Sequence, residues 1–346
     1  MARRVWRRIG SLCALSAVVF TATVFGLPSI AHADPGCTQA YVLFVRGSGS
    51  GFDSYQASAF KNSITSALHS RGIGSVEWAE LGNLDGDYDP PEKLAATEYP
   101  AVRVDKWSAA NTINGNYNNS VTIGKNELAT HLNDRYAGDG PTGSGSCSKE
   151  VLILGGYSQG ADVIGRALNS GQLGQAVWDH IGFVALYGDP RFYPGSVGDR
   201  IAHANFQPNW WWVRGDDPGY FVNPFSSDLG VLGARNPYAP NVLKGRFGSW
   251  CAAFDLVCTG WPFGLSIHAG AYQNTWIPNS AGEIAYVAKL KYNQLNNGGS
   301  ASSVSTYVTT PPATAEPKPW VSASFPTTDS TRLALSSASN SSGNGA

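Results

Sequence analysis

Beyond its first thirty residues, the chain has no apolar stretch of the roughly 20 residues that a membrane-spanning helix needs. It also has no run of basic residues, so the electrostatic footprint of a nucleic-acid binder is missing. No C-x-x-C pair and no nearby pair of histidines occurs, which argues against a metal site built on its cysteines. The glycine-rich turn Arg46-Gly47-Ser48-Gly49-Ser50-Gly51 follows an apolar run but lacks the third glycine of a dinucleotide fingerprint. Phe52 stands in that place, and a dinucleotide site is discounted.

What is present begins with a leader. Arg3, Arg4, Arg7 and Arg8 precede an apolar stretch from Leu12 to Ile30, broken by Pro28 and closed by Ala31-His32-Ala33. Residues 1–33 therefore read as a secretory signal peptide, with the two arginine pairs leaving a twin-arginine route open. An uncleaved anchor is the rival, because the stretch is long; Pro28 and the small-x-small triplet favour cleavage. The chain carries 24 basic and 25 acidic residues; without the four arginines of residues 1–33, which hold no acid, 20 remain against 25, a net charge of −5.

Cys13 leaves with the leader, and Cys37, Cys147, Cys251 and Cys258 remain. An even count in an exported chain suggests two disulfides, with three connectivities open. Cys251 and Cys258 suit a local staple. Cys37 and Cys147 would then close a long loop, worth about 4–5 kcal/mol on a chain-entropy account.

Along the chain, Ala40-Tyr41-Val42-Leu43-Phe44-Val45 reads as a buried strand. A helix is expected over 54–71, with Asp53 and Gln56 as a capping pair and Gly72 as its stop. A short strand follows at 75–79. Residues 81–118 read as a long surface loop, and Val121, Gly124, Leu128, Leu132 and Tyr136 mark another helix. A polar turn at 137–148 leads to the apolar run Val151–Leu154. After a further helical region at 175–181, Gly182–Tyr187 is the next strand. The alternation predicts a doubly wound, mainly parallel α/β sheet with helices on both faces.

Residues 191–250 form an aromatic insertion: Phe192, Tyr193, Phe206, Trp210, Trp211, Trp212, Tyr220, Phe221, Phe225, Tyr238, Phe247 and Trp250. For Trp210–Trp212 the favoured reading is a strand through Trp211-Trp212-Val213 with packed loops. The alternative is an apolar rim or lid that receives acyl chains. A last helix is expected over 279–295. Residues 297–346, rich in Ser, Thr and Pro, read as a disordered tail, leaving a globular domain at 34–296.

The run Val151–Leu154 breaks at Gly156-Tyr157-Ser158-Gln159-Gly160, a G-x-S-x-G pattern, and a helical stretch follows. Strand, sharp turn and helix are the setting of a nucleophile elbow. A serine hydroxyl needs a base, and the base needs an orienting carboxylate. Of His180, His203 and His268, the last follows the final plausible strand and suits the base. His180 precedes a strand, at the wrong end of the sheet, and His203 lies in the insertion. For the acid, Asp189 and Asp255 compete: Asp189 ends a strand, and Asp255 sits between two cysteines.

These residues resemble the cutinase family of serine esterases, which includes acetylxylan esterases. The G-Y-S-Q-G elbow matches. So does the spacing of 11 residues from Cys37 to Ser48 and from Cys147 to Ser158, the C-x-x-x-D-x-x-C acid loop at Cys251–Cys258, and His268 ten residues later. The likeness covers residues 37 to 295, and the segment from Asp189 to Trp250 is longer and more aromatic than in compact cutinases. The resemblance implies an α/β-hydrolase with Ser158 as nucleophile, His268 as base and Asp255 as its partner. It implies an oxyanion hole from the N–H groups of Ser48 and Gln159, with the Ser48 hydroxyl as a further donor, and disulfides Cys37–Cys147 and Cys251–Cys258. Gly47 and Gly49 would let the oxyanion loop approach the substrate.

The expectation is thus a secreted carboxylic ester hydrolase, extracellular or wall-associated, working through an acyl-enzyme. It would be a monomer without cofactor, metal, nucleic-acid partner or membrane span after leader cleavage. Its substrates would be short- to medium-chain lipid or polyester esters. Alternatives are a polysaccharide deacetylase and a non-catalytic wall-binding protein on the same scaffold.

Overall fold

Side chains on a strand alternate between its two faces, and that alternation divides the core in two. A computed structural model of the chain describes residues 36–84, 94–104, 115–137, 146–192, 212–214, 230–233, 235, 239–252, 255–259 and 264–297. All belong to one of two units, Met1–Val308; the other, Thr309–Ala346, lies outside the described residues. The leader and the tail beyond Asn297 lie outside them as well, as do His203 and most of the aromatic insertion.

The strands are β1 (Ala40–Val45), β2 (Val76–Glu80), β3 (Val151–Tyr157), β4 (Ile181–Tyr187), β5 (Trp212–Arg214) and β6 (Phe247–Ala252). They form one sheet in the order β2-β1-β3-β4-β6-β5. The first five in that order run parallel, and β5 pairs antiparallel with β6 as an edge. The helices are α1 (Tyr55–Ser70), α2 (Asn116–Ala137), α3 (Gln159–Leu168), α4 (Gln175–His180), α5 (Leu256–Thr259), α6 (Leu265–Gly270) and α7 (Ile277–Asn296). A π-helical turn, Tyr272–Trp276, joins the last two.

On one face, Val42, Phe44, Ile153 and Phe183 pack with Phe60 and Ile64 of α1 and Ile284 and Ala288 of α7. On the other, Leu43, Val45, Leu154 and Leu186 pack with Leu128 and Leu132 of α2 and Ile164 of α3. Strands buried on both sides read as unbroken apolar runs, which is why β1, β3 and β4 were legible. Both disulfides form, Cys37–Cys147 and Cys251–Cys258.

Four expectations need correction. The cap of α1 is Ser54, whose side chain accepts from the Ala57 N–H at 3.4 Å; Gln56 instead reaches Ala269 O and Gln273. The segment 81–118 is not all surface: Tyr99 is fully buried and Ala101 nearly so. Burial there is tolerable because Glu127 accepts the N–H groups of Gly82 and Tyr99. The insertion ends before 250, since Phe247–Trp250 belong to β6, and Phe192, Phe247 and Trp250 are core residues. The last helix starts two residues earlier than read, at Ile277, with proline in its first turn.

Candidate active site

Ser48, Ser158, Asp189 and Asp255 each follow the C-terminal end of a parallel strand, where open α/β sheets place their clefts, whereas His268 comes from a helix further along the chain. Ser158 follows β3, Gly188 and Asp189 follow β4, and Asp255 follows β6. Ser158 has φ 53 and ψ −117, a left-handed conformation that a non-glycine residue adopts only when its surroundings enforce it. They do so here. The Ser158 N–H donates to Tyr187 O at 2.8 Å, tying the elbow to β4. At Gly160 any Cβ would overlap the Val45 carbonyl, so only glycine lets α3 pass this close to β1.

The loop after β1 lies against the elbow. A Cβ on Gly47 would meet the Tyr157 ring at 2.7 Å and Ser158 Cβ at 3.3 Å. The Gly49 N–H donates to Ala101 O at 2.7 Å. The Ser48 hydroxyl donates to Val102 O at 2.7 Å and accepts the Val104 N–H at 2.9 Å. Its proton is thus held by the main chain, and the expected role of this hydroxyl as a donor to substrate is corrected. Ser48 and Gln159 are left with their N–H groups as candidate donors. Gln159 is the first residue of α3, where an N–H has no intrahelical acceptor. Its side chain is fully buried: Oε1 accepts from Tyr99 and Ser120 hydroxyls at 2.9 and 3.0 Å, and Nε2 donates to Val102 O at 3.3 Å.

His268 lies on α6, 6% exposed. Its Nδ1 is 2.8 Å from Asp255 Oδ2. Its Nε2 is buried and has no hydrogen-bond partner among the described residues. The Tyr157 ring stacks on the imidazole with centroids 4.9 Å apart, and the Tyr157 hydroxyl donates to His268 O at 2.7 Å. The residue beside the elbow serine therefore holds the histidine both by its ring and by its hydroxyl. A Cβ on Gly188 would meet His268 Cε1 at 2.7 Å, which puts the ring at the mouth of β4.

Asp255 is fully buried and accepts on both oxygens. Oδ1 takes the Val257 and Cys258 N–H groups at 2.6 and 3.4 Å, capping α5; Oδ2 takes His268 and the Tyr272 hydroxyl, at 2.8 and 2.5 Å. The Cys251–Cys258 bridge spans the loop. Burial, then the nearby Asp255 charge, push the Tyr157 and Tyr272 phenols far above their ordinary range, so both are neutral donors.

Asp189 is equally buried but faces elsewhere. Arg235 binds both its oxygens, with Nη1 at 3.2 Å, and Arg235 also reaches Asp162 Oδ1 at 3.2 Å. His180 closes α4 and bridges Ala176 O and Ser148 O, at 2.6 and 3.1 Å. The structure thus brings His268 to Asp255 and leaves Asp189 and His180 in structural roles. Sequence reading missed Tyr272, Tyr99 and the holding role of Tyr157. Tyr157 stood inside the elbow motif; Tyr272 had no signal, because its partners lie 17 and 20 residues upstream. Among the described residues no cluster of His, Cys, Asp and Glu could hold a metal, and no helix is long and apolar enough to cross a membrane.

Five parallel strands, helices on both faces and a serine on a strained strand–helix turn define an α/β-hydrolase. The sequence profile of the cutinase family matches residues 91–289. The carboxylesterase Culp1 of Mycobacterium tuberculosis is 30% identical over 195 residues, 54% of this chain and 67% of that protein. The phospholipase Culp4 of the same organism is 28% identical over 200 residues, 55% and 70% of the two chains. A cutinase-like protein from Cryptococcus sp. superposes with a TM-score of 0.45 at 19% identity, covering 75% of this chain and 98% of its own. The chain belongs to the cutinase family and is an ester-hydrolysing enzyme.

Proposed function

We propose that the protein is an exported serine carboxylesterase in which Ser158, His268 and Asp255 act as one unit. The observation that carries this is the histidine: one ring nitrogen faces a buried carboxylate, the other is unpartnered among the described residues, and the ring stacks on Tyr157, the residue just before the strained Ser158. In that reading Ser158 Oγ attacks the ester carbonyl and gives its proton to His268 Nε2. The resulting oxyanion is met by the N–H groups of Ser48 and Gln159; one such donor is worth about 2.7–4 kcal/mol. The carbonyl–alkoxy bond breaks, His268 returns the proton to the departing alcohol, and water repeats the sequence on the acyl-enzyme. Asp255 holds the imidazole tautomer and stabilises its cation.

Short- to medium-chain lipid and polyester esters are the proposed substrates. Similarity to relatives named carboxylesterase and phospholipase favours the lipid side over acetylated polysaccharide. Export is supported by the leader at 1–33 and by two disulfides, which persist in oxidising compartments. Ser158→Ala should abolish both p-nitrophenyl ester hydrolysis and fluorophosphonate labelling. Retained activity in that variant refutes the assignment.

A further inference from the structure

The acid of the site has a second partner. The Tyr272 hydroxyl donates to Asp255 Oδ2 at 2.5 Å, the same oxygen that receives His268 Nδ1 at 2.8 Å. The phenol oxygen in turn accepts the Ala252 N–H at 3.0 Å and lies 3.4 Å from Cys258 Sγ. One hydroxyl therefore touches the end of β6, the carboxylate and the disulfide that spans the acid loop. Tyr272 is fully buried and stands at the start of the π-helical turn; such turns occur frequently at functional sites.

We propose that Tyr272 is a positioning residue for the hydrolysis. Its hydroxyl fixes the rotation of Asp255 so that Oδ2 faces the imidazole, and it shares that oxygen's charge. The inference rests on the assignment of Ser158, His268 and Asp255 made above.

Two physical consequences follow. A carboxylate in a buried site can turn about its Cβ–Cγ bond unless both oxygens are held. The α5 N–H groups hold Oδ1, and Tyr272 holds Oδ2 alongside the histidine it must serve. The second consequence concerns charge. A hydrogen bond donated to Oδ2 withdraws density from the atom that stabilises the imidazolium. Among the described residues, the titratable groups facing the imidazole are Asp255 from the loop after β6, Tyr157 from β3 and Tyr272 from the π-helical turn; both phenols are neutral. Removing the Tyr272 hydroxyl thus leaves the Asp255 charge less shared, and the His268 cation gains stability. The sign is an imidazolium that persists to higher pH.

The test is Tyr272→Phe, which keeps the ring. Expected is a fall in kcat of about tenfold, with KM within about twofold of the parent, as for loss of one hydrogen bond to a charged group. The acid limb of the kcat profile should move up by roughly half a pH unit. A double-mutant cycle separates positioning from packing. On an Asp255→Asn background Tyr272→Phe should cost nothing further in kcat, because its action runs through the carboxylate. The same fold loss on both backgrounds overturns the proposal, and so does a folded Tyr272→Phe with unchanged kcat and acid limb. If Ser158→Ala stays active, the underlying assignment fails instead, and the two failures are distinct.

Tyr272→Phe strands the Ala252 N–H and risks misfolding. The parent enzyme then supplies the measurement. The buried, hydrogen-bonded hydroxyl proton of Tyr272 should give a downfield NMR resonance that shifts with the midpoint of the His268 imidazole titration. A resonance that ignores that titration overturns the proposal.

Discussion

Two aspartates end neighbouring strands of this sheet and share almost every coarse property. Asp189 follows β4 and Asp255 follows β6; both are fully buried. Their partners differ. Asp189 accepts the Arg191 N–H at 2.9 Å and is bound on both oxygens by the guanidinium of Arg235, a permanent cation with no proton to trade. Asp255 is bound by a histidine, a phenol and two N–H groups. A carboxylate locked to arginine is a strut, whereas one facing an imidazole can answer a change in its charge. Burial does not separate the roles; the titratability of the partner does.

The sharpest way to break this comparison is to delete each carboxylate. Asp255→Ala should lower kcat on a p-nitrophenyl ester by on the order of 10⁴-fold, the scale seen when a triad acid is lost. Asp189→Ala should instead lower stability by about 3 kcal/mol, the low end for breaking a buried ion pair, because Asp162 still holds Arg235. Steady-state kinetics and urea unfolding on both variants read the two effects. A larger kcat loss for Asp189→Ala would reverse the roles.

The two disulfides sharpen the contrast on a smaller scale. Cys37–Cys147 closes a sequence separation of 110, and Cys251–Cys258 one of 7. On the loop-entropy account their contributions are about 5 and 2.5 kcal/mol. Replacing Cys37 and Cys147 by serine should thus cost more stability. Replacing Cys251 and Cys258 should cost less stability but more kcat, because that loop holds Asp255. Equal kcat losses from the two double variants would remove the acid loop's special standing.

The contrast was only half legible in the sequence. The parallel sheet was readable because β1, β3 and β4 are unbroken apolar runs bounded by glycine. The strand β6 is not legible because Phe247-Gly248-Ser249-Trp250-Cys251-Ala252 mixes small, polar and aromatic residues and continues the aromatic insertion without a break in pattern. The elbow was readable as a motif in context. The choice between Asp189 and Asp255 was not, on residues alone. Both follow a strand, and Arg235 and Tyr272 carry no local signal of what they will face. Resemblance to a family supplied the choice, and the hydrogen bonds supply its physical reason. The Ser48 hydroxyl shows the converse limit: the resemblance offered it as a donor, while Val102 and Val104 from a distant loop claim it.

A third carboxylate extends the comparison to the smallest expected effect. Among the described residues Glu127 accepts only from the main chain, the N–H of Gly82 at 2.9 Å and of Tyr99 at 2.5 Å. Burial outweighs those two hydrogen bonds and raises its pKa from the usual 4.5 to about 7. A carboxyl whose pKa is raised on folding binds more protons in the native state. Its contribution to stability is therefore complete below about pH 4.5 and is lost as pH rises towards 7. Glu127→Gln cannot titrate, so the parent's advantage over this variant should be larger at pH 5 than at pH 8. Urea midpoints of both proteins at the two pH values measure it, and taking the difference cancels Glu80, whose pKa burial likewise raises, to about 6. A difference independent of pH would mean that Glu127 stays ionised throughout, with its two N–H partners outweighing its burial. Kinetics should barely respond, although Glu127 fixes Tyr99 and Tyr99 fixes Gln159, because the Gln159 side chain keeps its bonds to Ser120 and Val102. The three carboxylates thus divide by what holds them: an imidazole that can take a proton, a guanidinium that cannot give one, and a main chain that carries no countercharge.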